Sequence, residues 1–324
     1  MRRVSRALFA AAALVFSFTV SVEMGWTQTK LTRVGILSVE PESEWFAPFR
    51  RTLHERGWVE GKNVVFEFGH GGGDPSRIDE AAGELVRSRV DVLFPVGPSY
   101  VRAAFAATRT IPIVAHDLET DPVAAGYAQS YAHPGGNLTG LFLDSPDLAG
   151  KWVELLKMLM PRLSRVVVLW DSSSGPIPLQ AVRDVAPSMG ITLQVVQINT
   201  PEDIDRAPSL FRGRPQALIV LPSPMLYFQS ARLAQLARQQ RLPATSMFVP
   251  FAEAGGMLAY GPDMAATAER CAELVAKILG GVKAGDLPIE RPNKFEFVLN
   301  LKTAKELHLK VPDTILLRAN KLIN

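Results

Sequence analysis

The chain carries one strand and helix signature twice. Thr32-Arg-Val-Gly-Ile-Leu-Ser opens the first series, and Ser164-Arg-Val-Val-Val-Leu-Trp opens the second 132 residues later. Val90-Asp-Val-Leu-Phe-Pro-Val-Gly-Pro-Ser returns 125 residues on as Pro215-Gln-Ala-Leu-Ile-Val-Leu-Pro-Ser-Pro, and Thr110-Ile-Pro-Ile-Val returns after 131 as Arg241-Leu-Pro-Ala-Thr. An internal repeat of βα units implies two similar doubly wound lobes rather than one large sheet. Ligands of such sheets sit beyond the carboxyl ends of the strands, so two facing lobes make a cleft lined by both sets of loops.

Short β-branched runs mark the expected strands at 34–37, 64–68, 92–96, 113–116, 166–170, 192–196, 218–221 and 244–247. Amphipathic stretches between them predict helices over 45–56, 77–87, 100–108, 148–160, 180–189, 228–240 and 265–279. Gly57, Gly190 and Gly280 follow three of these, where a left-handed cap is expected.

Charge and cysteine content narrow the function classes. Lys and Arg number 35 against 32 Asp and Glu, a net charge of +3. Residues 1–27 supply Arg2, Arg3 and Arg6 against Glu23, so the remainder carries only +1, and a nucleic-acid footprint is not expected. The single cysteine, Cys271, excludes an intramolecular disulfide framework and cysteine-cluster metal sites. The basic residues 1–6 and the uncharged run Ala7 to Val20 read as an export signal, too short for a spanning helix. An uncleaved interfacial or membrane anchor is the competing reading, since no Ala-x-Ala site follows.

The order of motifs resembles the ABC-transporter substrate-binding proteins of the tryptophan/tyrosine-type family. The resemblance is carried by Arg33-Val-Gly-Ile-Leu-Ser, Arg56-Gly-Trp-Val-Glu-Gly-Lys-Asn-Val, Asp121-Pro-Val-Ala-Ala-Gly, Pro134-Gly-Gly-Asn-Leu-Thr-Gly, Glu253-Ala-Gly-Gly-Met-Leu-Ala-Tyr-Gly-Pro and Lys294-Phe-Glu-Phe-Val-Leu-Asn-Leu-Lys-Thr-Ala-Lys. It spans roughly residues 32–324. It implies a type I periplasmic binding fold, an α/β architecture of two doubly wound Rossmann-like lobes joined by crossover segments. The domains expected are a signal peptide at 1–27, an N-terminal lobe at 32–143 completed by about 259–290, and a C-terminal lobe at 144–258 completed by about 291–324. Gly97-Pro98-Ser99-Tyr100 stands where a Gly-Thr-Pro-Ala-like turn is usual in that family.

The candidate ligand-binding residues follow from the strand ends. Gly97, Ser99 and Tyr100 end one strand and open a helix whose free N–H groups suit a carboxylate; a plain helix cap is the competing reading. Ser38 and Trp45 lie after the first strand, where a ring could stack on an aromatic ligand or pack into the first helix. Asp117, Glu119 and Asp121 follow the fourth strand and could hold an amine; Asp121 is selected because the family motif begins there. Asp171, Ser223 and Phe248 occupy the equivalent strand ends of the second lobe, and Tyr260 lies in a glycine-rich crossing segment.

Other motifs read as structural. Gly69-His70-Gly71-Gly72-Gly73-Asp74 lacks the Lys-Ser/Thr of a phosphate loop and is taken as a turn. The five histidines show no metal spacing, no Gly-x-Ser-x-Gly elbow occurs, and Cys271 falls on the inward phase of a helix. The expected function is an extracytoplasmic solute receptor of an ABC importer. It closes on a small carboxylate ligand such as an aromatic or apolar amino acid, with a membrane permease as partner, no cofactor, and a monomeric periplasmic state. A sensor for a membrane signalling partner and a two-lobe α/β enzyme are the alternatives.

Overall fold

A computed structural model describes residues 31–40, 43–71, 75–143 and 145–324. The expected signal peptide lies outside the described residues. Strands β1 (Thr32–Leu37), β2 (Val64–Gly69), β3 (Val92–Pro95), β4 (Ile113–Asp117) and β5 (Leu138–Phe142) form one sheet in the order β2-β1-β3-β4-β5, with every pairing parallel. Strands β6 (Arg165–Trp170), β7 (Thr192–Gln197), β8 (Ala217–Val220), β9 (Ala244–Ser246), β10 (Leu258–Pro262), β11 (Phe295–Asn300) and β12 (Lys321–Ile323) form a second sheet in the order β12-β11-β10-β9-β8-β6-β7. Only the β10 and β11 pairing in it is antiparallel.

The helices are α1 (Ala47–Glu55), α2 (Pro75–Arg87), α3 (Pro98–Ala107), α4 (Ser145–Leu159), α5 (Ile177–Val185), α6 (Asp203–Leu210), α7 (Pro224–Phe228), α8 (Ser230–Gln239), α9 (Val249–Glu253), α10 (Met264–Leu279), α11 (Leu301–Glu306) and α12 (Asp313–Leu316). None among the described residues is long and apolar enough to cross a membrane.

Continuous apolar runs such as Val92-Leu-Phe make strands buried on both faces, as a helix-covered parallel sheet requires. Alternate residues feed opposite cores: Val92 and Phe94 pack with Phe49 of α1 and Cys271 of α10, whereas Leu93 packs with Ala82 of α2 and Val101 of α3. In the second sheet Val166 and Val168 meet Trp152 of α4 and Val182 of α5, and Val167 and Leu169 meet Ile204 of α6 and Leu233 of α8. Cys271 is a fully buried member of this packing, and burial raises its thiol pKa.

The lobes exchange helices. α4 follows β5 of the first sheet but packs on the second, whereas α10 follows β10 of the second sheet and packs against α1 on the first. Asp263 stands between β10 of the second sheet and α10, which packs on the first. The return passes through Glu290, whose N–H donates to the Gly140 carbonyl at 2.9 Å and whose carbonyl accepts from Phe142 N at 3.0 Å.

All eight expected strands form, and four more join them. Leu138–Phe142 is one of the four: it sits inside a glycine motif that reads locally as a turn, yet Gly140 has φ 143, and a Cβ there would strike the Ala115 carbonyl of β4. The predicted helix over 228–240 splits at Gln229 into α7 and α8. Gly57 and Gly190 take positive φ as expected, but Gly280 has φ −78 and the left-handed residue is Gly281 at φ 100. The last turn of α10 runs one residue further before the chain reverses.

Candidate ligand site

The strand ends of the two sheets meet across a narrow cavity of about 40 Å³. The first lobe contributes Ser38, Trp45, Phe46, Gly97, His116 and Glu119 to its walls. The second contributes Pro224, Tyr227 and Phe228 from α7 and Phe248 from the turn after β9, and Met264 opens α10 at the floor. No Lys or Arg lines it among the described residues.

Two aromatic clusters face each other. Trp45 sits in a 3₁₀ turn, Glu44–Phe46, just ahead of α1, with Phe46 edge-on at 4.8 Å and His116 at 5.2 Å. Across the cavity Tyr227 meets Phe228 and Phe248, both at 5.0 Å and near-perpendicular. Edge-to-face packing fixes these rings before any ligand arrives and leaves apolar faces for one to enter.

His116 is held neutral, its pKa lowered to about 4 by burial. The Thr267 hydroxyl of α10 donates to the Met264 carbonyl at 2.8 Å, so it accepts from His116 Nε2 at 3.0 Å. That assigns the proton to Nε2 and ties the Trp45 wall to the start of α10.

The polar end is acidic. Asp117 ends β4 fully buried, and its Oδ1 accepts the N–H groups of Glu119 and Thr120, each at 3.0 Å. Its Oδ2 has no partner. Glu119, 4% exposed, reaches the cavity while Oε2 accepts from Leu118 N at 3.1 Å. Burial raises Asp117 to a pKa of about 6. Burial likewise pushes Glu119 well above the usual carboxylate range, with the charge of Asp117 and then that of Asp171 adding to it. No Lys or Arg forms an ion pair with any of these three acids among the described residues.

The second polar feature is the start of α3. Gly97 is its cap, at φ 96, with Pro98 as the first helical residue, so the first-turn N–H groups have no partner within the helix. A Cβ at Gly97 would overlap Pro224 of the other lobe, which makes this glycine a point of close approach between the lobes. The Ser38 hydroxyl also lines the cavity, buried and without a hydrogen-bond partner.

Of the residues singled out in the sequence, Ser38, Trp45, Gly97, Glu119 and Phe248 line this cavity, and the other candidates do not. Ser99 is neither a cap nor a cavity residue; its hydroxyl donates across the lobes to the Ser173 carbonyl at 3.1 Å. Tyr100 packs in the first lobe's core, where burial raises its phenol to about 12. Asp171 accepts from Ser173 N at 2.9 Å and Ser223 from Leu226 N at 2.9 Å, each capping its own helical turn. Tyr260 lies in a different groove, stacked at 6.0 Å on Phe295 of the antiparallel partner strand.

Asp121 is exposed and caps the turn at Val123 and Ala124, at 2.8 and 3.1 Å, so the acid that reaches the cavity is Glu119. Sequence reasoning does not select His116, Tyr227, Phe228 or Met264. For Tyr227 and Phe228 a signal exists: Pro222-Ser223-Pro224 is the repeat counterpart of Gly97-Pro98-Ser99, so a helix start is due there.

Two doubly wound lobes joined by crossovers, with a cavity at their facing strand ends, define a type I periplasmic binding fold. Residues 36–323 match the model of the ABC transporter substrate binding protein family, and the chain belongs to that family, whose members bind a substrate without converting it. A tyrosine-binding protein from Clostridioides difficile (strain R20291) is 25% identical over 268 residues, 81% of this chain and 76% of that protein. A domain from Streptococcus pneumonia in complex with L-Trp matches with a TM-score of 0.80 at 20% identity, covering 90% of this chain and 100% of that one. A ligand-free, open substrate binding protein with adhesive properties from Clostridium difficile matches with a TM-score of 0.63 at 22% identity, covering 91% and 99%.

Proposed function

We propose that the chain is the extracytoplasmic receptor of an ABC importer, whose lobes close on an aromatic amino acid and then dock on a membrane permease. One observation carries the ligand class: a buried acid, Glu119, stands in the wall of an aromatic cavity that no Lys or Arg lines among the described residues. Burying an uncompensated carboxylate is costly, and a ligand ammonium supplies the missing partner. Glu119 is the residue that would receive it. The ligand carboxylate would lie against Ser38 and the first turn of α3, where the helix dipole favours an anion. The side chain would fill the space between the Trp45 and Tyr227 clusters.

Closure is supported by the lobe-to-lobe contacts of Gly97 with Pro224 and of Ser99 with Ser173. The higher TM-score to the structure holding L-Trp than to the ligand-free open one, at similar identity, points the same way. The moving bodies would be residues 32–143 with the segment from α10 to 290, and residues 144–258 with β10 and 291–324. Residues 1–27 would direct export to the periplasm.

A thermal-shift screen of amino acids on the purified chain tests the reading. L-Trp, L-Tyr or L-Phe should raise Tm, by roughly 2.7 kcal/mol of added stability at a hundredfold excess over Kd. A response confined to polyols or metal ions would overturn it, as would conversion of the ligand on prolonged incubation. Deleting residues 1–21 should leave the protein in the cytoplasm.

A further inference from the structure

Thr267 stands outside the cavity wall, yet it holds a residue that is part of it. It is 3% exposed near the start of α10, and its N–H donates at 3.0 Å to the carbonyl of Asp263, the residue that caps the helix. Its hydroxyl proton is committed to the Met264 carbonyl at 2.8 Å, which leaves the oxygen to accept from His116 Nε2 at 3.0 Å. A buried side chain on the crossover helix thus reaches the ligand site through one imidazole.

His116 joins three parts of the cavity. Its Nε2 is bonded to α10, its backbone carbonyl accepts from Gly97 N at 2.8 Å and so steadies the cap of α3, and its ring lies 5.2 Å from Trp45 with 71° between the planes. Among the described residues the Trp45 indole makes no hydrogen bond, and the rings it meets are those of its chain neighbour Phe46 and of His116. His116 is therefore the ring from another element that limits where the indole lies. The outer torsion of a histidine is soft, so an imidazole without a bond at Nε2 would tilt and release that limit.

We propose that Thr267 is a specificity-determining residue acting through His116: it fixes the plane and the Nε2–H tautomer of the imidazole, which holds Trp45 in place and sets the cavity's preference for aromatic over aliphatic side chains. This rests on the receptor reading and adds the residue that governs its selectivity. A ligand ring gains from Trp45 only in offset or edge-to-face geometry, which a tilted indole spoils. An aliphatic side chain is held by burial that has no direction, so the same tilt costs it little.

The test compares the full chain with Thr267→Val and Thr267→Ser. Valine resembles threonine in shape but lacks the hydroxyl, whereas serine keeps it. Calorimetry with L-Trp and L-Leu, by displacement for the weaker ligand, reads the selectivity. Thr267→Val should weaken L-Trp roughly three- to tenfold, on the scale of one neutral hydrogen bond, and L-Leu by less than about twofold. Thr267→Ser should restore the wild-type ratio of affinities. Nitrogen NMR of the ligand-free imidazole reads the positioning: the wild-type chain and Thr267→Ser should show the Nε2–H tautomer, and Thr267→Val a mixture of both. Equal losses for L-Trp and L-Leu, or a ratio that serine does not restore, would overturn the proposal and make Thr267 a residue of general stability. An Nδ1–H tautomer in the wild-type chain, or one that Thr267→Val leaves unmoved, would overturn it as well. Failure of the wild-type chain to bind either amino acid would sink the receptor reading and the selectivity with it, whereas L-Trp binding with equal losses would sink the selectivity alone.

Discussion

The cavity and the crossover segments handle charge in opposite ways. At the crossover, Arg270 of α10 grips Glu290 through two hydrogen bonds of 2.7 Å, Nε to Oε2 and Nη2 to Oε1. It also contacts Glu273, which in turn accepts from Arg56. Every carboxylate in that network faces a guanidinium, and hydrogen bonding to Glu290 raises the Arg270 pKa further above its ordinary value. Glu119 in the cavity wall, and Asp117 and Asp171 at nearby strand ends, are more deeply buried and form no ion pair with Lys or Arg among the described residues. A partly exposed, fully paired network is explained by holding the segment that links the lobes. Buried acids with no base cost stability and are explained by what they bind.

The largest effect that would break this contrast is expected at Gly97. Any Cβ there meets Pro224, and φ 96 is strained for other residues. Gly97→Val should oppose closure by roughly 1–3 kcal/mol through the overlap, weakening amino-acid affinity by up to about a hundredfold, while the backbone strain lowers the stability of the open and closed states alike. Calorimetric titration with L-Trp, alongside far-UV circular dichroism to confirm folding, measures it. Next comes Glu119→Gln, which removes a charge-assisted hydrogen bond worth about 1.5–3 kcal/mol. L-Trp should bind roughly ten- to a hundredfold more weakly, while its des-amino analogue, indole-3-propionate, should bind as well or better at pH 7. Equal losses for both ligands would put Glu119 with the structural charges.

How much of this is legible in the sequence follows from what each residue answers to. The sheets answer to local runs such as Val166-Val-Val-Leu and to the repeat, so two lobes can be read from the amino-acid order alone. β5 cannot, because Gly140 owes its place to a close approach on Ala115 that no local pattern records. Ser38, Trp45 and Gly97 are readable because strand ends fix where loops emerge. The choice among Asp117, Glu119 and Asp121 is not. Three acids in five residues share one composition, and which is buried depends on how the loop wraps around Asp117, whose Oδ1 gathers the N–H groups of Glu119 and Thr120. The family motif draws attention to Asp121, where it marks a turn.

At the crossover the effect should be smaller and of another kind. Arg270→Ala leaves Glu290 and Glu273 without their shared partner, but the site is about one-third exposed and solvent screens it. A cost of about 1–2 kcal/mol is expected, a few degrees in Tm. Ligand affinity at 25 °C should stay within about threefold, corresponding to less than about 0.7 kcal/mol. A tenfold loss of affinity with little change in Tm would show that the paired network takes part in binding.

The smallest effect is expected where the sequence alone points most firmly. Asp121 is exposed and accepts from Val123 N and Ala124 N, an arrangement that satisfies a turn at the lobe surface. Replacing such a cap by alanine typically costs about 0.5–2 kcal/mol, and an exposed turn belongs at the lower end because water can take over the freed N–H groups. Asp121→Ala should therefore lower Tm by one to three degrees, on the order expected for about 0.5–1 kcal/mol, and leave affinities for L-Trp and indole-3-propionate alike unchanged within twofold. Asp121→Asn, which keeps an accepting oxygen, should restore most of the lost Tm. The pair separates charge from capping. If Asp121→Asn weakened L-Trp tenfold while preserving Tm, the negative charge of Asp121 would be acting on the ligand, and the division between paired or capping surface acids and unpaired buried ones would fail at this residue.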